Sequence, residues 1–193
     1  MLDTLYTEET FKNLSSQVSV FDQVEFDDCE FLDCSFSEST FQNCRFSNCK
    51  FKSCDLSLIK LLETKFSETT FEKCKLTGVD FSSITGIVKE LDFTDCVMHY
   101  TIWSKMDLKK RKFIGFDLKE SSFIECDLES ANFLESNLKD VQFQDCNLHK
   151  TNFIKAKDYF INSKDNFIVG AKFSLPEAEV LLRNLDIEIV EED

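Results

Sequence analysis

Nine cysteines, two histidines and 36 carboxylates are the side chains of this 193-residue chain that could carry chemistry. The cysteines follow one rule. Cys29, Cys34, Cys44, Cys49, Cys54, Cys74, Cys96, Cys126 and Cys146 each stand two residues before a phenylalanine, leucine or methionine. Their number is odd and no CxxC pair occurs, so the pattern indicates neither a disulfide framework nor a zinc site. The same slot is filled elsewhere by Ser39, Thr69, Val79, Ser121, Ala131 and Thr151, so the cysteines read as reduced, compact core residues. His99 and His149 sit one residue after such a centre, an outward position. Neither has a nucleophile placed beside it by spacing, and no glycine-rich phosphate loop, metal-ligand motif or nucleophile elbow occurs. The chain is expected to be no enzyme and to need no cofactor or metal.

The carboxylates are the remaining candidates. Asp22 to Glu38 holds seven acids and no base, and residues 45 to 75 mix in seven cations. KMDLKKRK (105–112) is a basic patch in which Arg111 occupies an inward slot that it must distort or escape. Asp117 to Asp145 is acidic again, with Asp117, Glu120, Glu125 and Asp127, then Glu129, Glu135, Asp140 and Asp145. Residues twenty apart are expected to stack, which lays Glu120 over Asp140 and Glu125 over Asp145. Like charges at strand spacing repel, so this belt reads either as a face for a positively charged partner or as a means of solubility. The net charge of −14 argues against nucleic-acid or anionic-membrane binding. No stretch is apolar enough to span a bilayer, and MLDTLYTEETFKNL does not read as a signal peptide. The expected location is the cytoplasm.

What positions these residues is a period of five. Phe21, Phe26, Phe31, Phe36, Phe41, Phe46 and Phe51 recur at every fifth residue. A helix would smear that period around its surface, and a strand would send successive phenylalanines to opposite faces. A chain that turns a corner every five residues, four sides to a coil, brings all of them to one axis, so the fold class is an all-β solenoid. Residues 1–20 hold the register only in part and are expected to cap the first coil. Residues 21–81 form the first half, with Leu56, Leu61 and Leu76 replacing phenylalanine.

Residues 82–92 break the phase, since Phe81 to Phe93 spans two repeats plus two residues. Gly86 would serve a bulge or loop there. The segment is either a projecting loop or a packed bulge, and Ile84, Ile87, Val88 and Leu91 favour the bulge. Residues 93–173 form the second half, in which aromatic and aliphatic centres alternate. That alternation predicts the columns Phe93–Phe113–Phe133–Phe153 and Trp103–Phe123–Phe143. Residues 154–172 read as one distorted coil. In 174–193, Ser174 and Glu177 suggest a capping box with Pro176 in the first turn, hence a helix followed by a short strand. The apolar residues Val180, Leu181, Leu182, Leu185, Ile187 and Ile189 suggest a homodimer joined through this end.

The units ECDLESANFLESNLKDVQF (125–143) match the A(D/N)LXX pattern, and the chain resembles the pentapeptide-repeat proteins over nearly its whole length. Within them it resembles the Qnr quinolone-resistance and McbG microcin-immunity group, through its central phase break, MHYTIWSKMDLKKRKFIGFDLKESSF (98–123) and LLRNLDIEIV (181–190). The resemblance implies a right-handed quadrilateral β-helix with a C-terminal capping helix, dimeric and acidic. It further implies a DNA mimic that binds DNA gyrase or topoisomerase IV and relieves quinolones or a gyrase-targeting toxin, with Asp117 to Asp145 as the matching belt. The alternative is a repeat scaffold for some other protein partner.

Overall fold

The structure is a computed structural model and describes residues 4–15, 20–85 and 91–185. It is a right-handed quadrilateral β-helix of about eight coils. Every described strand pairing is parallel, at an offset of twenty residues within each half and of twenty-two across the phase break, as in Thr70↔Asp92. Two extra residues therefore enter between Thr85, which still pairs with Lys65, and Leu91. The bulge-or-loop expectation centres on 86–90, outside the described residues; at its margins Ile84 packs on the core and Leu91 is fully buried.

Four columns of centres fill the rod. The first side carries Tyr6, Phe26, Phe46 and Phe66, then Leu108, Leu128 and Leu148; the second carries Phe11 through Phe173. The third begins with Phe36 and Leu56, and the fourth runs from Phe21 to Phe143. Successive coils stack rings face to face, as in Phe31–Phe51 at 4.5 Å and Phe113–Phe133 at 4.8 Å. Neighbouring sides of one coil meet edge to face, as in Phe26–Phe31 at 5.3 Å and 73°. Both are favoured geometries for aromatic pairs, and burying each ring contributes about 2 kcal/mol or more.

The slot two residues before each centre explains the cysteines. The Cys54 thiol donates to the Phe31 carbonyl at 3.3 Å, and Cys49 donates to Phe26 at 3.4 Å. Thr64 and Thr151 hydroxyls do the same for Phe41 and Leu128, both at 2.8 Å. The slot thus takes a side chain small enough for the interior that also carries a donor for the centre of the preceding coil. Burial pushes the thiols of Cys29, Cys34 and Cys44 up, and that of Cys49 up to about 12.

Corners are made two residues after each centre. Among the described residues, twenty-six other than glycine adopt positive φ, nearly all at this position, from Glu8 at 57° to Lys155 at 57°. Left-handed backbone costs a side-chain-bearing residue about 1–2 kcal/mol. The cost is offset because most corner N–H groups reach a carbonyl of the next coil, as in Asn43 to Leu62 at 2.8 Å and Lys105 to Ile124 at 2.9 Å. No valine, isoleucine or threonine occupies a described corner of this kind.

Three expectations need correction. Residues 4–15 are themselves a coil, because Leu5–Thr7 and Thr10–Lys12 pair in register with Glu25–Asp27 and Glu30–Leu32. The predicted column through Phe93 and Phe113 is interrupted: Phe93 stacks on Phe71, but the Arg111 guanidinium lies 5.2 Å over its other neighbour's place on the ring. At the C-terminal end a 3-10 helix runs over Glu177–Leu185, where a capping box had suggested an ordinary helix start. The Ser174 hydroxyl is occupied in accepting the Lys155 N–H at 2.9 Å. The distorted coil is present: Tyr159 is buried one place out of phase from Asp158, and Phe173 restores the stack on Phe153 at 5.2 Å.

Two outcomes follow from these interiors. The folded protein should leave thiol reagents such as DTNB unreacted until it is denatured. Because the unfolded Cys49 thiol ionises near 9.0 and the folded one near 12, its contribution to stability is complete below about pH 9 and is lost as pH rises towards 12. Denaturant titrations at pH 8 and 10.5 check this. At the corners, exposed Leu58 holds φ 57°, so Leu58→Asn should raise stability by about 0.5–1 kcal/mol in thermal melts.

Candidate functional site: the charged faces of the second half

The eight acids of the predicted belt separate by their place in the repeat. Asp117 and Asp127 stand one residue before the centres Leu118 and Leu128, and the Asp127 side chain closes its turn. The Asp127 Oδ1 accepts the Glu129 N–H at 3.2 Å and the Asn147 amide at 2.9 Å, while Oδ2 lies 2.9 Å from Lys109 Nζ. Asn132 and Asn152 form the same ladder on the second side, joined at 2.9 Å. Asp117 lies 2.9 Å from His99 Nε2 and 3.1 Å from Lys119 Nζ. Its partial burial works against ionisation, but the His99 and Lys119 contacts outweigh that and hold its carboxyl below the usual range. Both aspartates are thus occupied with the rod itself.

Glu120, Glu125, Glu135, Asp140 and Asp145 are exposed corner residues in left-handed backbone. The belt therefore winds around the rod. Glu135 pairs with Lys155 at 3.0 Å, and half-buried Glu129 lies on the first side. The structure does bring Glu120 and Asp140 together on one edge of the fourth side, and Glu125 and Asp145 on the other. Between them run three paired strands, Ile102–Ser104, Ser122–Ile124 and Gln142–Gln144, whose outward residues are all uncharged. Tyr100 donates to Glu120 at 2.8 Å, and Lys105 sits 3.8 Å from Glu125. Asp140 and Asp145 have no ion-pair partner among the described residues. The result is a neutral strip bordered by two acidic rows.

A second feature lies on the opposite, second side. The inward slot holds Leu91 and Arg111 in successive coils, where the other coils from Cys29 onward place cysteine, threonine or alanine. Arg111 is nine-tenths buried, and burial lowers its guanidinium pKa while Asp92 acts against that shift. Among the described residues no backbone ladder joins Asp92–Thr94 to 112–114, although Lys112 pairs onward with Asn132. A cleft of about 540 Å³ opens here, lined by Glu72, Asp92, Phe93, Thr94, Arg111 and Lys112 among others. The inward phase of Arg111 is plain in the sequence, while the parting of the strands around it is not. The left-handed corners are visible only in the structure, where none of the described ones is β-branched.

Of the proposed dimer residues, Val180 and Leu181 are half-buried against the rod's own last coil, and Leu182 is 38% exposed. The Leu185 side chain, Ile187 and Ile189 lie outside what is described. Exposed Phe160, Phe167, Val169 and Leu175 surround the same end.

Family comparisons agree with this architecture. A pentapeptide repeat region model matches residues 24–87, and a model of eight pentapeptide repeats matches 104–140 and 121–157. The chain is a pentapeptide-repeat protein. Among solved structures it is similar to a trypsin-treated variant of QnrB1, a plasmid-mediated fluoroquinolone resistance protein, with TM-score 0.72 and 16% identity over 98% of this chain and 100% of that one. Full-length QnrB1 aligns with TM-score 0.59 and 15% identity, covering 95% and 100%. These likenesses are of fold. No curated protein sequence gives a significant match.

The division of the acids is testable in thermal melts. Asp127→Ala removes a turn acceptor and should cost about 1–2 kcal/mol, Asp127→Asn should cost much less, and Asp140→Asn should be close to neutral.

Proposed function

We propose that the chain is a non-enzymatic, cytoplasmic DNA mimic that binds a type II topoisomerase, gyrase or topoisomerase IV, and protects it from quinolones or a gyrase-targeting toxin. The observation that carries this reading is the fourth side of the second half. Two acidic rows, Glu120–Asp140 and Glu125–Asp145, border a strip of serine, glutamine and isoleucine. A DNA duplex offers the same arrangement to a protein, with phosphate rows flanking a groove of uncharged base edges. A partner whose basic saddle normally holds DNA would meet negative charge in two parallel lines and release counterions as it does on DNA. The protective role is supported by the likeness of fold to QnrB1, which is itself a fluoroquinolone resistance protein. Joining two rods through the apolar C-terminal end, around Val180, Leu181, Leu182 and Leu185 with Ile187 and Ile189, would lengthen the mimic into a symmetric dimer.

Gyrase supercoiling with a quinolone, titrated with the purified protein at two salt concentrations, tests the proposal. Protection is expected, weaker at the higher salt, and reduced by roughly tenfold or more in potency when Glu120, Glu125, Asp140 and Asp145 become lysine. No effect on gyrase or topoisomerase IV at about 10 µM protein would overturn it and leave the scaffold reading, with another protein as partner.

A further inference from the structure

The seam on the second side leads into a surface unlike the rest of this acidic chain. From the Arg111 cleft, an aliphatic stripe continues down the same face. Ile114, Leu134 and Ile154 stack in successive coils, held in register by Gly115 N–H to Leu134 O at 2.8 Å and Glu135 N–H to Ile154 O at 3.2 Å. Ile114 is 42% exposed and the other two are half-buried. Beside the stripe run Lys112, Asn132, Asn152 and Lys172. On its far edge Glu135 is already held by Lys155, and the exposed acids Asp92 and Asp95 stand only at the cleft end, beside Phe93. Lys112 and Lys172 have no carboxylate partner among the described residues.

At the cleft itself Phe93 is partly exposed beneath the Arg111 guanidinium. The neighbouring carboxylate of Glu72 is shared by Lys52 and Lys73 at 3.5 and 3.7 Å. In a chain of net charge −14, this face combines unpaired lysines with stacked aliphatic side chains.

We infer that the second side, from the Arg111 cleft through Ile114, Leu134 and Ile154, is a docking surface for an acidic protein segment that carries apolar side chains. Apolar groups of the partner lie along the stripe and over Phe93. Its carboxylates meet Lys112 and Lys172, away from Glu72 and Asp92 at the cleft. The complementarity is one of charge and burial together, since lysines flanking apolar surface attract acids while the stripe rejects water. The surface lies on the side of the rod opposite the two acidic rows, so one rod can hold a basic partner on one face and an acidic one on the other. It does not depend on the topoisomerase reading.

Fluorescence anisotropy on the full chain tests it, with a fluorescein-labelled peptide of repeating leucine–glutamate–glutamate as the probe. A repeating leucine–lysine–lysine peptide serves as the counter-probe. Saturable binding of the acidic probe is expected, weakened roughly tenfold in the double variant Lys112→Glu, Ile114→Ser. Both positions are exposed, so the fold is retained, and Lys164→Glu at a distant exposed site should leave binding unchanged. Three results would overturn the inference. They are no binding of the acidic probe at about 100 µM protein, equal binding to wild type and the double variant, or equal loss with Lys164→Glu.

Discussion

Everything in this rod depends on coils of equal perimeter lying one strand spacing above each other. Parallel strands at an offset of twenty residues place like on like, so each position of the repeat becomes a column. A column is self-consistent only if the same steric and hydrogen-bonding requirement is met in every coil. The centres meet it with flat rings that stack. The slot before them meets it with a side chain of cysteine or threonine size that donates to the carbonyl of the coil before. A thiol suits that role because it is small, apolar enough for the interior and still a weak donor.

The same constraint arranges the surface. Corners must take left-handed backbone, so they exclude β-branched residues and project whatever they carry outward. Many of the aspartates and asparagines before a centre are taken up by turn closure, as at Asp107, Asp127 and Asn137, and Asp117 is held by His99 and Lys119, so acidity at that position says little about partners. Acidity at the corners is available to a partner. Counting carboxylates along the chain therefore overstates the belt, and what remains available is two short rows on either side of one face.

Where the repeat rule is broken, the rod opens. Leucine and arginine in successive inward slots exceed the volume that the stack allows, and a guanidinium takes the place of a ring in the aromatic column. Burial of that charge is tolerated beside Asp92 and over the face of Phe93, an arrangement that suits arginine because its planar cation stacks on aromatic rings. The loss of a few ladder bonds leaves a cleft between strands, while the third and fourth sides keep their pairing across the break through Lys75↔Val97 and Asp80↔Ile102.

The period of five, the inward cysteines, the phase break and the alternating second half were all legible from residue types, because each follows from repetition and needs no knowledge of which residues meet. The residue pairs twenty apart were legible too, once four sides per coil were assumed. Which of those pairs share a face was a matter for the tertiary structure alone. Winding the chain around four sides separates acids that are adjacent in sequence and joins acids that are not. It also turns the Ser174 hydroxyl away from the helix start that its sequence suggests, since a hydroxyl bonds to the nearest unsatisfied N–H in space. Arg111 shows the limit most clearly: its inward phase was plain in the sequence, but whether it would swing out or part the strands depended on the packing of Phe93, Leu91 and Asp92 around it.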